Sequence, residues 1–229
     1  MSMNSRPIPA TIIRANRKNL EIKVGEDEGV TVRAPYKTPD DYIEKVLNKK
    51  RLWIKGKQGK VRRQKALHCP KEYVEGEGFL YLGRSYKLHL IASQEESLKF
   101  YQNAFYIDKQ LVKEGEAHFS EWYKIKALKK LTERCSFHAK RLGFKFSKVS
   151  VTAAEKRWGS CNPKAKTLNF SWRLIMAPIE VIDYIVIHEL CHLEYPNHSP
   201  EFWAKVRSIC PSYQVSEKWL EANRVRLFL

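Results

Sequence analysis

The first part of the chain alternates between apolar and polar positions in the way that β-strands do. The runs TIIRANRKNLEIKV and GVTVRAP are rich in β-branched residues and flank the turn-like GEDEG. Strands are therefore predicted between Thr11 and Arg33. Further on, GEGFLYLGRSYKLHLIA holds two alternating runs with Gly83 and Arg84 between them. This second pattern predicts a β-hairpin.

Two segments have the apolar period of amphipathic helices. TPDDYIEKVLNKKRLWIKGK offers Thr38 as an N-cap and Pro39 for the first turn, followed by acidic residues that favour a helix start. FSEWYKIKALKKLTERCSFHAKRLG is predicted to begin at Ser120 and to end at Gly143. The apolar stripe of this second helix is predicted to consist of Trp122, Ile125, Leu128, Leu131 and Cys135.

The rest of the chain predicts a mixture of strands and helices. KVSVTAAEKRWGSC contains a strand, and TLNFSWRLI alternates cleanly enough to predict another. APIEVIDYIVIHELCHL and SPEFWAKVRSIC are predicted helices, the second capped by Ser199 with Pro200 at its first position. The order of elements predicts an α+β protein with a boundary near residue 118. A β-rich N-terminal region (1–118) would precede a second domain (119–229).

The stretch YIVIHELCHLEYPNHSPEFW holds three of the chain's seven histidines. His188 and His192 are four residues apart, which puts both imidazoles on one face of a helix, where they can bind one zinc ion. Glu189 projects from the neighbouring face, where it can take a proton from a zinc-activated water without ligating the metal. The alternative is a pair of core histidines with ordinary hydrogen bonds. The apolar residues before them predict a buried helix, in which polar groups need partners.

A catalytic zinc needs a third protein ligand, and His198 is the best candidate. Pro196 disfavours a helix continuing through Tyr195. Asn197 tolerates a left-handed turn that would fold His198 back towards the metal before a new helix begins. The alternative is a solvent-exposed histidine.

Three further features suggest roles around this site. The polar edge of the strand Thr167–Ile175 could add a substrate peptide as an extra strand, unless the strand is internal. Arg157, or the amides near Gly159, could face a substrate carbonyl oxygen; the alternative is a turn packed by the neighbouring tryptophan. Cys161 could cap the zinc, although a small buried thiol is the more common role for cysteine.

Composition excludes several classes of protein. The chain has 229 residues, of which 43% are hydrophobic, and no run approaches the apolar length needed to cross a bilayer. The first residues lack the apolar core of a secretory signal. Five cysteines at scattered spacing argue against a disulfide framework. We therefore expect a cytoplasmic protein that does not bind or span a membrane.

The net charge of +17 is unevenly spread. Residues 45–67 hold ten Lys/Arg and no Asp/Glu, and residues 121–170 hold thirteen basic and three acidic residues. Residues 171–229, with the histidine motif, hold six basic and seven acidic residues. A basic field recruits nucleic acid or acidic proteins, but the alternative is a solvated basic face. Nucleic acid is thus a candidate partner of segments 45–67 and 121–170.

Four segments, RWGSC, LNFSWRLIMAP, VIDYIVIHELCHL and NHSPEFW, together resemble the YgjP-like metallopeptidases, which are zincin-type relatives of the SprT-like and WLM proteases. RKNLEIKV, GVTVRAP, RLWI and GFLYLGRSYKL resemble that family's N-terminal half, so the resemblance covers about residues 8–225. It implies a zincin-like domain with an HExxH active-site helix and RWGSC near its cleft. The resemblance also implies that His188, His192 and His198 bind one catalytic zinc ion and that Glu189 is the catalytic base.

The predicted function is zinc-dependent hydrolysis of peptide bonds in a protein or peptide substrate. The alternative is a nucleic-acid-binding protein with a structural or vestigial zinc site, or a protease recruited to nucleic acid by its basic surface. The basic segment 45–67, with Trp53 among its lysines, supports the alternative. Glu189 argues against a purely structural zinc, because such a site needs no base.

Overall fold

The computed structural model describes residues 7–25, 27–67 and 70–229. Contacts divide the chain into two units, Met1–Cys69 and Pro70–Leu229. Helices and sheets occur in both units, which confirms the α+β class. Cys69 lies outside the described residues. Among those residues, no helix combines the length and the apolar character that crossing a membrane requires.

The first unit consists of a small sheet and two helices. Its elements are β1 (Ala10–Ala15), β2 (Glu21–Val24), β3 (Val30–Pro35), α1 (Asp40–Lys49) and α2 (Arg51–Leu67). The sheet order is β1-β3-β2, with β1 parallel and β2 antiparallel to β3. Alternate residues of the central strand β3 are buried against α1 and α2, and the buried core consists of Val30, Val32, Ala34, Ile43, Leu47 and Ile54.

The helix predicted from Thr38 onwards is divided. The backbone breaks at Lys50, between α1 and α2. The predicted cap at Thr38 is wrong, because Pro39 occupies the N-cap position and no side chain caps the helix. Two acidic residues, Asp40 and Asp41, lie in the first turn, where they complement the helix dipole.

The second unit contains two sheets. Its strands are β4 (Gly78–Tyr81), β5 (Arg84–Ile91), β6 (Leu98–Tyr101), β7 (Ala104–Asp108), β8 (Lys148–Thr152), β9 (Gly159–Asn162) and β10 (Thr167–Ser171). The sheet orders are β4-β5-β7-β6 and β8-β10-β9. Its helices are α3 (Gly115–Leu142), α4 (Ile179–Cys191), α5 (Pro200–Ile209) and α6 (Tyr213–Asn223), with 3-10 helices at Lys109–Glu114, Trp172–Met176 and Arg224–Leu227.

The long helix α3 begins five residues earlier than the predicted start at Ser120 and ends at Gly143 as predicted. Gly143 has a φ of 77°, a left-handed conformation that glycine adopts without strain. The predicted apolar stripe is partly wrong, because Ile125 and Leu128 are 60% and 42% exposed. The buried face instead uses Phe119, Trp122, Tyr123, Ala127, Leu131 and Cys135.

The predicted hairpin forms between β4 and β5 and reaches the start of α4. Its turn residues are Leu82 and Gly83, both with positive φ, rather than Gly83 and Arg84. The amides of Leu82 and Gly83 donate to the carbonyl oxygens of Ile175 and Met176 at 2.9 and 3.0 Å. A Cβ at Gly83 would lie 2.8 Å from Cγ of Pro178, so the close approach requires glycine. The hairpin therefore fixes the segment from which α4 starts.

One core joins the sheet β4-β5-β7-β6 to the later elements. Phe79 of β4 stacks on Phe119 of α3 with ring centroids 3.9 Å apart. The hydroxyl of Tyr123 donates to the carbonyl oxygen of Leu80 at 2.6 Å. The predicted boundary near residue 118 falls inside α3, whereas contacts divide the chain between Cys69 and Pro70. A catalytic domain of residues 119–229 alone stays a prediction.

We expect residues 70–229 to fold by themselves and residues 119–229 to fail. The shorter fragment would expose Phe119 and Tyr123 to water, and exposing such side chains costs about 1.5–3 kcal/mol each. Thermal unfolding followed by circular dichroism checks this, because only the longer fragment should unfold cooperatively. A cooperative transition of fragment 119–229 would show that the sheet β4-β5-β7-β6 is dispensable.

Candidate metal and catalytic site

Helix α4 carries most of the candidate site through the core of the second unit. Its residues Val181, Ile182 and Val186 are buried, as the apolar pattern predicts. Asp183 binds the guanidinium of Arg134 on α3 through two hydrogen bonds of 2.6 and 2.7 Å. Burial opposes ionisation of Asp183, but hydrogen bonds and charges of His138 and Arg134 outweigh it and lower the pKa. This ion pair fixes α4 against α3.

The three predicted histidines lie together. His188 lies in the last turn of α4, His192 directly follows the helix, and His198 comes from the turn before α5. Nε2 of His198 is 3.0 Å from Nε2 of His188 and 3.2 Å from Nε2 of His192. All three nitrogens lie within 4.8 Å of one another, so one metal ion could bind all three. His198 is exposed, as its alternative holds, but its ring lies against the other two imidazoles.

The turn between the second and third histidine has a different geometry from the one predicted. Asn197 does not have the positive φ of a left-handed turn, so that detail of the prediction is wrong. The chain instead reverses through a bond from the Ser199 amide to the Asn197 carbonyl oxygen at 2.9 Å. Ser199 then caps α5 by accepting from the Phe202 amide, with Pro200 at the first position, as predicted.

Hydrogen bonding and burial keep two of the imidazoles suited to a metal. Nδ1 of His192 lies 2.9 Å from the carbonyl oxygen of Tyr195. A proton donated there leaves Nε2 with a free lone pair. Burial lowers the pKa of His188 to about 3. Burial also lowers the pKa of His192, because its effect outweighs that of the hydrogen bond to Tyr195, which raises the pKa. Neutral imidazoles are the form that binds metal.

Two aromatic residues of α5 hold the imidazole rings in place. The ring of Phe202 is 4.4 Å from that of His192, on which it stacks, and 4.9 Å from those of His188 and His198. Trp203 stacks on His198 with centroids 5.6 Å apart. Sequence reasoning assigned no role to either residue. The signal was present, because positions 202 and 203 follow a capped helix start that places them next to His198.

Glu189 directly follows His188 on the same helix, and only 5% of it is exposed. Its Oε2 has no hydrogen-bond partner among the described residues. Burial raises the pKa of Glu189 to about 8, and the positive charge of Arg157 opposes that rise. In its ionised form, a buried carboxylate with a free oxygen can accept a proton from a small molecule bound beside it.

The backbone of β9 lies directly against Glu189. A Cβ at Gly159 would lie 2.5 Å from Oε1 and 2.7 Å from Cγ of Glu189. Only glycine leaves room for the carboxylate at this distance. The alternative of a turn at Gly159 does not describe the structure, because Gly159 is the first residue of β9. Its missing side chain makes room for the carboxylate of Glu189.

Gly159→Ala should lower any activity that depends on Glu189 by roughly 10²-fold, because displacing a reacting group by about 1 Å has that effect. Metal content should stay unchanged, since the imidazoles are not touched. Steady-state kinetics together with elemental analysis measures both quantities. Gly59→Ala is a matched control, because nothing lies within 4 Å of the added Cβ. Full activity of Gly159→Ala would mean that Glu189 need not keep this position.

The loop before β9, residues 153–158, is tied to distant parts of the second unit. Arg173 donates to the Ala153 carbonyl oxygen at 3.1 Å and pairs with Glu155 at 3.4 Å. Arg224 donates to the carbonyl oxygen of Glu155. The charge of Arg157 acts on Glu189, so this loop and Glu189 are neighbours.

The strand Thr167–Ile175 differs from its prediction in two ways. It ends at Ser171 as β10, and a 3-10 helix follows. It is also the central strand, with β8 and β9 on either side, so the hypothesis that it adds a substrate strand is wrong. The edge position next to Glu189 belongs to β9.

Cys161 lies on β9 and is partly buried. Burial and the charge of Glu189 raise the pKa of its thiol to about 11. A protonated thiol is a poor metal ligand. This favours a packing role for Cys161 over a reversible zinc cap.

A family model described as YgjP-like, metallopeptidase domain, matches residues 18–223. The chain belongs to the YgjP-like metallopeptidase family. The resemblance seen in the sequence is therefore confirmed, and the family implies a peptidase with a bound metal and a protein or peptide substrate.

Two solved structures are similar to parts of this family member. The metallopeptidase zymogen of Pyrococcus abyssi abylysin is 23% identical over 39% of this chain and 90% of that chain, with a TM-score of 0.37. A mutant of Wss1 from Saccharomyces cerevisiae is 18% identical over 42% of this chain and 81% of that chain, with a TM-score of 0.34. No curated protein matches the chain closely enough to count as a relative.

Proposed function

We propose that this YgjP-like protein is a zinc-dependent peptidase in which His188, His192 and His198 hold the metal and Glu189 is the general base. The observation that carries the proposal is the convergence of three Nε2 atoms within 4.8 Å beside a buried glutamate of the same helix. The proposed substrate is a protein or peptide in the cytoplasm, a setting that the scattered cysteines favour.

The donor set suits zinc. Nitrogen ligands at about 2.0–2.1 Å from a tetrahedral zinc lie about 3.3 Å from one another. Nε2 of His198 lies 3.0 Å from Nε2 of His188 and 3.2 Å from Nε2 of His192, and both distances are close to that value. Three imidazoles leave the fourth position of a tetrahedral ion for water or substrate, as catalytic zinc sites do. A structural zinc is usually enclosed by four protein ligands.

A zinc ion held by the three imidazoles would supply Lewis acidity, which would activate water and polarise a carbonyl group. Glu189 accepts the proton of the attacking water and then donates it to the leaving amine. Gly159 lets the carboxylate of Glu189 lie against β9. Phe202 and Trp203 restrict rotation of the imidazoles, so the base and the ligands keep one geometry.

The segment around β9 is the proposed substrate-binding element. β9 is an edge strand next to Glu189, and a peptide added along it would place a scissile bond beside the base. Arg157 precedes this strand, in a loop held by Arg173 and Arg224. Its positive charge is placed to stabilise the negative charge that develops on the carbonyl oxygen.

Removing zinc tests the proposal. Protein dialysed against a chelator should lose cleavage of an unfolded protein substrate, and one equivalent of zinc should restore it. Hydrolysis is followed by the appearance of new amino groups. Cleavage that is indifferent to zinc removal would contradict the proposal.

The competing function is a nucleic-acid-binding protein whose zinc is structural or whose peptidase activity is vestigial. Glu189 is the observation that weighs against it. Only 5% of Glu189 is exposed, and its Oε2 has no hydrogen-bond partner among the described residues. Burying a carboxyl group in this way destabilises the fold. A structural zinc site needs only its ligands and would not require this buried carboxylate.

A further inference from the structure

The first turns of α2 form an exposed basic surface on the first unit. Between residues 52 and 57 only Ile54 is buried. The exposed side chains around it, together with the two lysines that precede α2, are Lys49, Lys50, Leu52, Trp53, Lys55 and Lys57. We call these six residues the α2 basic surface.

Within the part of the chain that the structure describes, no acidic side chain pairs with the four lysines of this surface. Four carboxylates of the first unit pair with other residues; Glu21, for example, pairs with Arg17, and Glu28 with Arg62. None of the four lysines forms an ion pair with any described residue. Residues 45–67 contain no Asp or Glu. The surface is therefore a concentrated positive charge, which attracts a polyanion.

The same surface exposes apolar groups. Trp53 is 44% exposed and Leu52 is 84% exposed. Nζ of Lys57 lies 5.9 Å from the centroid of the Trp53 ring, so a cation and an aromatic face are presented side by side. Nothing lies within 4 Å of a Cβ built at Gly56, which leaves the helix backbone between these side chains open.

A single aromatic ring among lysines suits a single-stranded nucleic acid. Lysines contact successive phosphates, and an exposed indole stacks on an unpaired base. An interfacial membrane helix needs an apolar face that continues over several turns, whereas Leu52 and Trp53 are the only exposed large apolar side chains among the described side chains of α2. An acidic peptide would use the lysines but would leave the indole without a partner.

We propose that the α2 basic surface binds single-stranded nucleic acid, with Trp53 stacking on a base and Lys49, Lys50, Lys55 and Lys57 contacting phosphates. This inference is independent of the proposed peptidase activity, because it uses none of the groups around the histidines. It assigns the first unit a function of its own.

Fluorescence anisotropy of the full chain with a labelled oligothymidylate of about twenty nucleotides tests the proposal. Binding should weaken steeply with salt. Replacing the four lysines by glutamine should reduce the slope of log affinity against log salt by about 3, at about 0.7 for each phosphate contact. Trp53→Leu should weaken binding at least fivefold, about 1 kcal/mol, without changing that slope.

The matched control removes the same charge from the second unit. Lys99, Lys109, Lys113 and Lys218 are exposed and lie outside the basic segment 121–170, and their replacement by glutamine should leave binding intact. Equal loss in both quadruple variants, or no binding at low salt, would overturn the proposal. So would tighter binding to a duplex, to polyglutamate or to vesicles containing phosphatidylglycerol than to the oligothymidylate. Peptide hydrolysis by the quadruple α2 variant should equal that of the unchanged chain.

Discussion

Glu189→Gln should lower kcat/KM for peptide hydrolysis by about 10²- to 10⁴-fold, the range for loss of a general base. The amide has nearly the same shape as the carboxylate but cannot accept the proton of the attacking water. Zinc content should remain at one equivalent, because the three imidazoles are unchanged. Steady-state kinetics and elemental analysis of the same preparation give both results.

Glu180→Gln is the matched control for this substitution. Glu180 lies in the first turn of the same helix and is exposed, so its replacement should leave kcat/KM unchanged. If the two variants behave alike, Glu189 is not the base. A stable fold of Glu189→Gln is expected, since it removes a buried carboxylate whose Oε2 has no partner among the described residues.

His198→Ala should weaken zinc binding by more than about 100-fold. Losing an outer-sphere partner of a ligand already costs about 10- to 100-fold, and losing the ligand itself costs more. His188 and His192 alone offer two nitrogens where a catalytic zinc site uses three protein ligands. Competition with a chromophoric chelator measures the affinity, and hydrolysis should be lost in parallel.

His118→Ala is the control for this second substitution. His118 lies on α3 outside the cluster, so zinc affinity should not change. Circular dichroism separates metal loss from unfolding. Stoichiometric, tight zinc binding by His198→Ala would mean that the third ligand is a different residue.

The sequence predicted the centre of the site well because that centre depends on short spacings. The spacing of four positions from His188 to His192 puts both on a common face once the segment is helical. Pro196 and the cap at Ser199 indicated that the chain turns before α5, so the return of His198 was predictable. The structure confirms the proximity of the three histidines, while their binding of zinc stays a prediction.

Features that depend on contacts between distant segments were not predictable. The approach of Gly159 to Glu189 joins strand β9 to helix α4, and no periodicity encodes that meeting. The alternation of β10 indicates a strand but cannot say whether the strand is central or at an edge, because both have the same pattern. The stacking of Phe202 on His192 likewise depends on how α5 packs against α4.

The predicted boundary near residue 118 differs from the division between the two units for a related reason. A change from strands to a long helix near residue 118 suggested a boundary. The aromatic side chains of β4 pack on α3, so that change in secondary structure does not separate two cores. The division of the chain into Met1–Cys69 and Pro70–Leu229 was not visible in the sequence as a change of composition.

The most direct test of the account is to compare the new N-termini produced in a soluble proteome by the zinc-loaded chain and by zinc-loaded Glu189→Gln. We expect the unchanged chain to generate new N-termini and the variant, with equal zinc, to generate none above background. Identical cleavage by both proteins, or no cleavage by the zinc-loaded unchanged chain, would contradict the proposal that this site is a peptidase driven by Glu189.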